Sequence, residues 1–137
     1  MADLVTTAAS CKKVANSTMT DRGIAGVTIT ASQPVYRDST NADKLALVSA
    51  NAESTSICAG IALHAALAEQ PIEFAIANLI DIGATVTVGQ VYVASATAGG
   101  IAPYSDLVSG KFVSIIGVGT TTGRIEIRLN NSRTAKA

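Results

Sequence analysis

The sequence contains one short β-rich pattern twice, and this repeat limits the folds that the chain can adopt. Gly26–Tyr36 reads GVTITASQPVY, and Thr85–Tyr92 reads TVTVGQVY. Both segments run from alternating Thr and β-branched residues, through a small residue and a Gln, to a Val-Tyr pair. Gln90 follows Gln33 by 57 positions (90 − 33). Self-similarity at a fixed spacing is typical of a chain that uses one structural unit more than once.

The residues that follow these segments also correspond. The matching pieces are KLAL (Lys44–Leu47) with GIAP (Gly100–Pro103), SICAGIA (Ser56–Ala62) with VSIIGVG (Val113–Gly119), and PIEFAI (Pro71–Ile76) with GRIEIRL (Gly123–Leu129). Gly60 and Gly117 keep the spacing of 57 (117 − 60), whereas Glu73 and Glu126 lie 53 apart (126 − 73). The sequence therefore predicts two pseudo-repeated β units, at about 26–76 and 85–129.

The composition favours short strands under a weakly charged surface. Of the 137 residues, 48% are hydrophobic, only 4% are aromatic and 15% are charged, against about 25% charged in an average soluble domain. A chain of this length is expected to form one domain with a substantial core. A weakly charged surface gives little electrostatic repulsion between copies of the protein. The composition fits a protein whose surface is partly covered by neighbours, and a compact stable monomer fits nearly as well.

Alternation of apolar and polar residues predicts about eight to ten short strands with frequent turns. Lys111–Val118 is the most apolar run and is predicted to be a central strand. Arg124–Leu129 alternates regularly and is predicted to turn its apolar residues inward. Ala25–Thr30 is predicted to be a half-buried strand with Val27 and Ile29 on one face.

These strands predict an all-β fold, a small sandwich or barrel built from the two pseudo-repeated units, with an extended N-terminal arm. The predicted boundaries are an N-terminal arm at 1–22, a β domain at 23–129 and a C-terminal tail at 130–137. Residues 77–84 are interpreted as the crossing between the units, which places Asp81 in a cap or turn. Ile57–Leu67 is ambiguous between helix and strand. Because its counterpart in the second unit alternates, Ile57–Leu63 is interpreted as a strand and His64–Gln70 as the turn that follows.

Charge is unevenly distributed, although the formal net charge is zero. Counted over side chains, 1–22 carries +1, 23–123 carries −4 and 124–137 carries +3. Basic ends on an acidic body suit docking arms for an acidic partner, and more often they are two solvated tails.

No group of residues in the sequence predicts catalysis, a cofactor or a metal site. Zinc needs about four ligands at matched spacing, and the single His64 with two distant cysteines does not supply them. Glu69 and Glu73 are predicted to bracket a turn, so they need not face each other as catalytic carboxylates do. Cys58 is predicted to be a buried small hydrophobe, and Cys11 a free thiol in the polar N-terminal segment. The sequence therefore predicts a protein that is not an enzyme.

Nucleic-acid and membrane partners are not predicted either. The Gly-rich pieces match neither a phosphate-binding loop nor a dinucleotide fingerprint. The basic ends lack the interleaved aromatic residues on which bases stack. The longest apolar stretch, Ile57–Ala68, is shorter than the roughly 20 residues of a membrane-spanning helix. Residues 1–22 lack the apolar region of a secretory signal.

Two stretches resemble a known group of proteins. They are ITASQPVYRD with KLALVSANAESTSICAGIAL, within Ile29–Leu63, and VGQVYVASATAGGIAPYSDLVSGKFVSIIGVGTTTGRIEIRL, at Val88–Leu129. In strand-turn order and in its use of small residues, the chain over about 24–129 resembles the small β-rich head decoration, or cement, proteins of tailed bacteriophages. The N-terminal segment departs from that pattern.

The resemblance implies a non-enzymatic protein of the virion, made in the host cytoplasm, that binds the outer capsid surface and clamps neighbouring major capsid subunits. It also implies a homo-oligomer, with a trimer favoured. Many copies of a modest interface act multivalently on a capsid, and a terminal arm can dock by adding a strand to an exposed edge. The capsid-docking residues expected on this basis are Leu4, Val5, Lys12, Lys13 and Arg22. Deletion of 1–22 is expected to abolish capsid binding and to leave the fold intact.

Two other classes of protein stay open. A head-fibre or adhesin-type β module would bind a host or a glycan, although the scarcity of aromatic residues argues against stacking on sugars. A tail or baseplate component would form rings or tubes on its own, whereas a cement protein needs the capsid as a template.

Overall fold

The computed structural model describes residues 3–121 and 123–137, and it is built almost entirely from β-strands and turns. This confirms the predicted all-β fold. The described strands are β1 (Cys11–Lys13), β2 (Met19–Ile24), β3 (Pro34–Asp38), β4 (Lys44–Leu47), β5 (Gly60–Ala62), β6 (Pro71–Ile82), β7 (Val91–Ala94), β8 (Ile101–Pro103), β9 (Phe112–Thr121) and β10 (Arg124–Ala135). Within the ambiguous run, the strand predicted at 57–63 is confirmed only for Gly60–Ala62, which is β5, and residues 57–59 and 63 lie outside it.

Strand pairing repeats in the two halves of the chain. In the first unit, β3 pairs with β4 and β5, β5 pairs with β6, and β6 pairs with β2. In the second unit, β7 pairs with β8 and β9, β9 pairs with β10, and β10 pairs with β6. Each unit therefore has five strands in the same order, and the predicted central position of β9 is confirmed by its place between β7 and β10.

The long strand β6 belongs to both units. Residues 71–77 pair with β2, and residues 78–81 pair with β10. Between the two halves, Asn78 has a left-handed backbone with φ of 68°, which bends the strand and allows it to change sheets. The predicted crossing at 77–84 is thus mostly strand. Asp81 does not lie in a turn: it is paired across the strands with Lys12 on one side and Arg124 on the other.

Ala25–Thr30 does not form the predicted strand. It makes only isolated bridges, from Ala25 to Leu45 and from Ile29 to Ala66. Ile29 is fully buried, but Val27 is 40% exposed, so the two side chains do not share a face. The Ala25 bridge nevertheless joins the end of β2 to β4 and closes the first unit on itself.

The predicted arm and tail are both largely part of the sheet. β1 and β2 pair along β6, and Cys11 is only 7% exposed. β10 continues to Ala135, where it pairs with Phe112 of β9. The described part of 1–22 is therefore not a separate arm, and deleting it would expose the backbone of β6. We expect such a deletion to unfold the first unit, contrary to the expectation drawn from the sequence.

The buried side chains form two main clusters. One fills the first unit and includes Val35, Ile72 and Phe74. The larger cluster includes Ile61 from the first unit together with Ile125 from the second. Burial of these apolar side chains is the main favourable contribution to folding, and the shared cluster makes the two units depend on each other.

The repeated glycines mark the closest backbone contact in each unit. A methyl group at Gly60 would overlap the carbonyl oxygen of Ala75 on β6, and one at Gly117 would overlap that of Glu126 on β10. The sequence repeat therefore keeps a glycine on β5 and on β9, at the point where each strand lies closest to the next strand of its unit, β6 or β10.

Gly60→Ala and Gly117→Ala should each lower the free energy of unfolding by about 2–3 kcal/mol, because the added methyl overpacks against a backbone that is fixed by strand pairing. Urea denaturation measures the change. Gly110→Ala is the matched control, since Gly110 has φ of 88° and open space around it; its cost is conformational alone, about 1 kcal/mol. Equal losses in all three variants would refute the packing explanation.

Candidate protein-docking surface

An open, partly apolar groove lies between β6 and strands of the second unit. We call it the interunit groove, and its volume is about 700 Å³. It is lined by Ile76, Ala77, Asn78, Val91, Ile115, Val118, Ile127, Arg128, Leu129 and Asn130. The first three residues belong to β6, and the others to β7, β9 and β10. Strands from both units thus build one surface.

Two irregularities open this groove. β6 bends at Asn78, so its residues 71–77 turn away from β10 towards β2. The pairing of β10 with β6 ends at Ile127, and its pairing with β9 shifts register between Ile127 and Asn130. Such a bulge redirects side chains on a strand. Leu129 lies in this shifted region and is half-buried rather than fully inward, unlike Ile125 and Ile127.

The groove combines apolar side chains with the polar side chains of Asn78, Arg128 and Asn130. Val91, Ile115, Val118 and Leu129 are all half-buried, so their side chains retain exposed area. Its charged member, Arg128, pairs with Glu126 at 2.5 Å. An exposed ion pair of this kind adds little stability, whereas contiguous exposed apolar surface marks sites of protein interaction.

The predicted docking residues Leu4 and Val5 lie beside β8. The Leu4 N–H donates to the Ile101 carbonyl at 2.6 Å, and the Leu4 side chain packs against the larger core cluster. Val5 is 86% exposed. Leu4 therefore contributes to the fold, and of these two side chains Val5 is the one that a partner can reach.

The basic members of the predicted set lie along β6. Lys12 is exposed and is paired across the strands with Asp81. Lys13 reaches Glu73 at 3.6 Å, and the exposed Arg22 is paired across the strands with the same residue. Lys13 and Arg22 thus converge on Glu73, a contact that the sequence spacing did not indicate.

Glu73 is the centre of this charged cluster. A hydrogen bond from the Thr20 side chain, together with the positive charges of Lys13 and Arg22, holds the pKa of the Glu73 carboxyl below its usual range. The Glu73 N–H donates to His64 Nε2 at 3.0 Å. This bond assigns the single histidine a structural role at the start of β6.

A second cleft, of about 440 Å³, has mixed charge. Arg37, Glu53 and Arg133 are among its lining residues. Arg37 also approaches the Asp21 carboxylate at 3.3 Å, so its charge is partly matched. The neighbouring acids make this cleft a weaker candidate for an anionic partner than its two arginines alone would suggest.

The two cysteines are free and both are buried. Burial raises the pKa of the Cys58 thiol to about 12 and that of the Cys11 thiol to about 11. The predictions of a buried Cys58 and of a free Cys11 thiol are confirmed, and the polar N-terminal segment buries Cys11 against the sheet. Within residues 3–121 and 123–137, no group of three or more His, Cys, Asp or Glu side chains is arranged to hold a metal ion.

No family model, curated protein or solved structure matches the chain. In the described part of the chain, no helix has the length and apolar composition needed to cross a membrane.

The interunit groove was missed by sequence reasoning. The available signal was β9, whose apolar residues fall on both faces of the strand: Ile116 is buried, while Val113, Ile115 and Val118 are half-buried. A strand with two apolar faces suits either a sheet covered on both sides or a docking surface. The sequence predicts only that this strand is central, which does not distinguish the two.

Replacing Glu73 with Gln should lower stability at neutral pH and have a progressively smaller effect as the pH falls. Because the folded carboxyl has a lowered pKa, its contribution is present above the usual carboxyl range and is lost as the pH falls through the folded pKa. Urea denaturation of wild type and E73Q between about pH 2.5 and 7 tests this. Thr20→Val removes the hydrogen bond and should reduce the same pH dependence. Parallel stability profiles for wild type and E73Q would contradict the assignment.

Proposed function

We propose that this protein is a non-enzymatic decoration protein that binds the outer surface of a tailed-bacteriophage head and contacts neighbouring major capsid subunits. The observation that carries the proposal is the interunit groove, a partly apolar surface built on paired strands. The resemblance of residues 24–129 to head decoration proteins suggests the identity of the partner, the major capsid protein. The all-β fold of small repeated units is compatible with this assignment.

The groove suits a protein partner because its shape is set in advance. Val91, Val118 and Leu129 stand on strands held by backbone pairing, so binding does not have to order a loop. Preorganisation of this kind reduces the entropy loss on association. A modest contact is sufficient on a capsid, where many copies and closely spaced subunits raise the effective concentration.

The groove and the basic cluster make different predictions for salt dependence. Docking through the apolar side chains of the groove should be little affected by ionic strength, whereas docking through Lys12, Lys13 and Arg22 should weaken as salt screens their charges. The proposal places the main contact in the groove and gives the basic side chains a secondary role.

Co-sedimentation with undecorated capsids tests the proposal. Leu129→Glu places a charge in the groove, and Val118→Thr keeps the side-chain shape while adding a hydroxyl. Loss of one well-packed apolar anchor typically removes more than about 1 kcal/mol of binding, so L129E is expected to bind at least about fivefold more weakly. Wild type should bind saturably at discrete lattice positions and delay thermal rupture of the capsid.

Val88→Glu is the matched control, because Val88 is 65% exposed and lies outside the groove. It should bind like wild type, and circular dichroism should show that all variants are folded. Wild-type binding by both groove variants would reject the groove as the docking surface. Failure of wild type to bind capsids, with rings, tubes or glycan adhesion instead, would replace the proposal with one of the other two classes.

A further inference from the structure

The two units differ at the seam, which we define as the line along which the two outer strands of a unit meet. In the first unit, the Gly26 N–H donates directly to the Leu45 carbonyl of β4 at 2.8 Å. The corresponding positions in the second unit, by the repeat spacing, are Gly83 and Ile101. Their carbonyl oxygens instead accept hydrogen bonds from residues near the N-terminus: Gly83 from Thr7 and Ile101 from Leu4, each at 2.6 Å. An added segment thus fills the seam between β8 and the end of β6.

This segment, residues 3–7, is held by a small set of local contacts. The Ser95 Oγ donates to the Asp3 carboxylate at 2.6 Å, and the Ser32 Oγ donates to the Thr6 Oγ at 2.9 Å. Leu4 contributes its apolar side chain to the core, whereas Val5 points into solvent. Each contact is between a short extended segment and a fixed edge, so the same segment from another copy can make all of them.

The connection to the rest of the chain allows that exchange. Residues 8–10 form a single 3-10 turn without a buried side chain. Immediately after it, Cys11 is buried and β1 is paired with β6. The chain is therefore anchored from Cys11 onward, and the exposed turn is the place where residues 3–7 can leave the domain in a different direction.

We infer that the seam between β8 and Gly83 is a strand-accepting site, and that residues 3–7 of a second copy of this chain can fill it. Exchange of an identical element links protomers at low free-energy cost, because every bond lost within one chain is remade between chains. Added strands of this kind gain affinity from backbone hydrogen bonds. The low surface charge adds little repulsion between copies.

Site-directed disulfide trapping tests the inference in the full chain. Asp3→Cys and Ser95→Cys are made in separate proteins, because these side chains touch when the segment occupies the seam. On mixing and mild oxidation, the two proteins should form a D3C–S95C covalent dimer whose yield rises with protein concentration. The dimer is read on a non-reducing gel and located by mass spectrometry.

Two controls make the result decisive. A single chain carrying both substitutions should form an internal disulfide, which shows that the geometry permits the bond. A mixture of D3C with V88C, whose cysteine is exposed and away from the seam, should give a much lower dimer yield. An internal disulfide in the double variant without a covalent dimer in the mixture overturns the exchange. A double variant that forms no D3C–S95C disulfide, either within one chain or between two, overturns the seam contact itself. Capsids take no part in this assay, so its outcome is independent of the proposed function.

Discussion

The architecture depends on one strand that both units must share. Residues 71–77 of β6 complete the first unit by pairing with β2, and residues 78–81 begin the second by pairing with β10. Neither five-stranded set is complete without this strand, and the larger core cluster draws side chains from both sides of it. Asn131 of β10 adds a second link, since its side chain exchanges hydrogen bonds with the backbone of Cys58 in the first unit. These links favour cooperative unfolding of the two units.

The same sharing explains why an apolar surface is left uncovered. A single strand cannot follow two sheets without bending, and β6 bends at Asn78. At this bend β6 passes from its pairing with β2 to its pairing with β10, and the side chains of Val118 and Leu129 beside it are only half-buried. The groove is thus a geometric result of joining two repeats through one strand. Such a surface can serve as a protein interface without any additional strand or loop.

The repeat was predictable from sequence because close packing requires the same type of residue at the same position of each unit. Such residues recur at a constant spacing in the sequence. Gly60 and Gly117 keep their spacing since any larger residue would strike a neighbouring strand, and Ile125 alternates because one face of β10 is buried. β1 and β2 could not be predicted in this way. β2 has no buried residue, so it is held in the sheet by backbone pairing, and its sequence, MTDRGI, resembles that of a loop. The groove was missed for the opposite reason, because half-buried apolar residues give the same pattern as core residues.

The segment 3–7 and the groove occupy different parts of the second unit, and this separation matters for assembly. The segment contacts β8, Gly83 and Ser95, whereas the groove is lined by β6, β7, β9 and β10. The residues that hydrogen-bond to the described segment, Ser32, Gly83, Ser95 and Ile101, do not line the groove. Exchange of the segment would therefore join copies while leaving each groove free for a partner. On the proposed function, linked copies would engage a repetitive surface with several grooves at once, and a contact too weak to hold one protomer would become strong for the assembly.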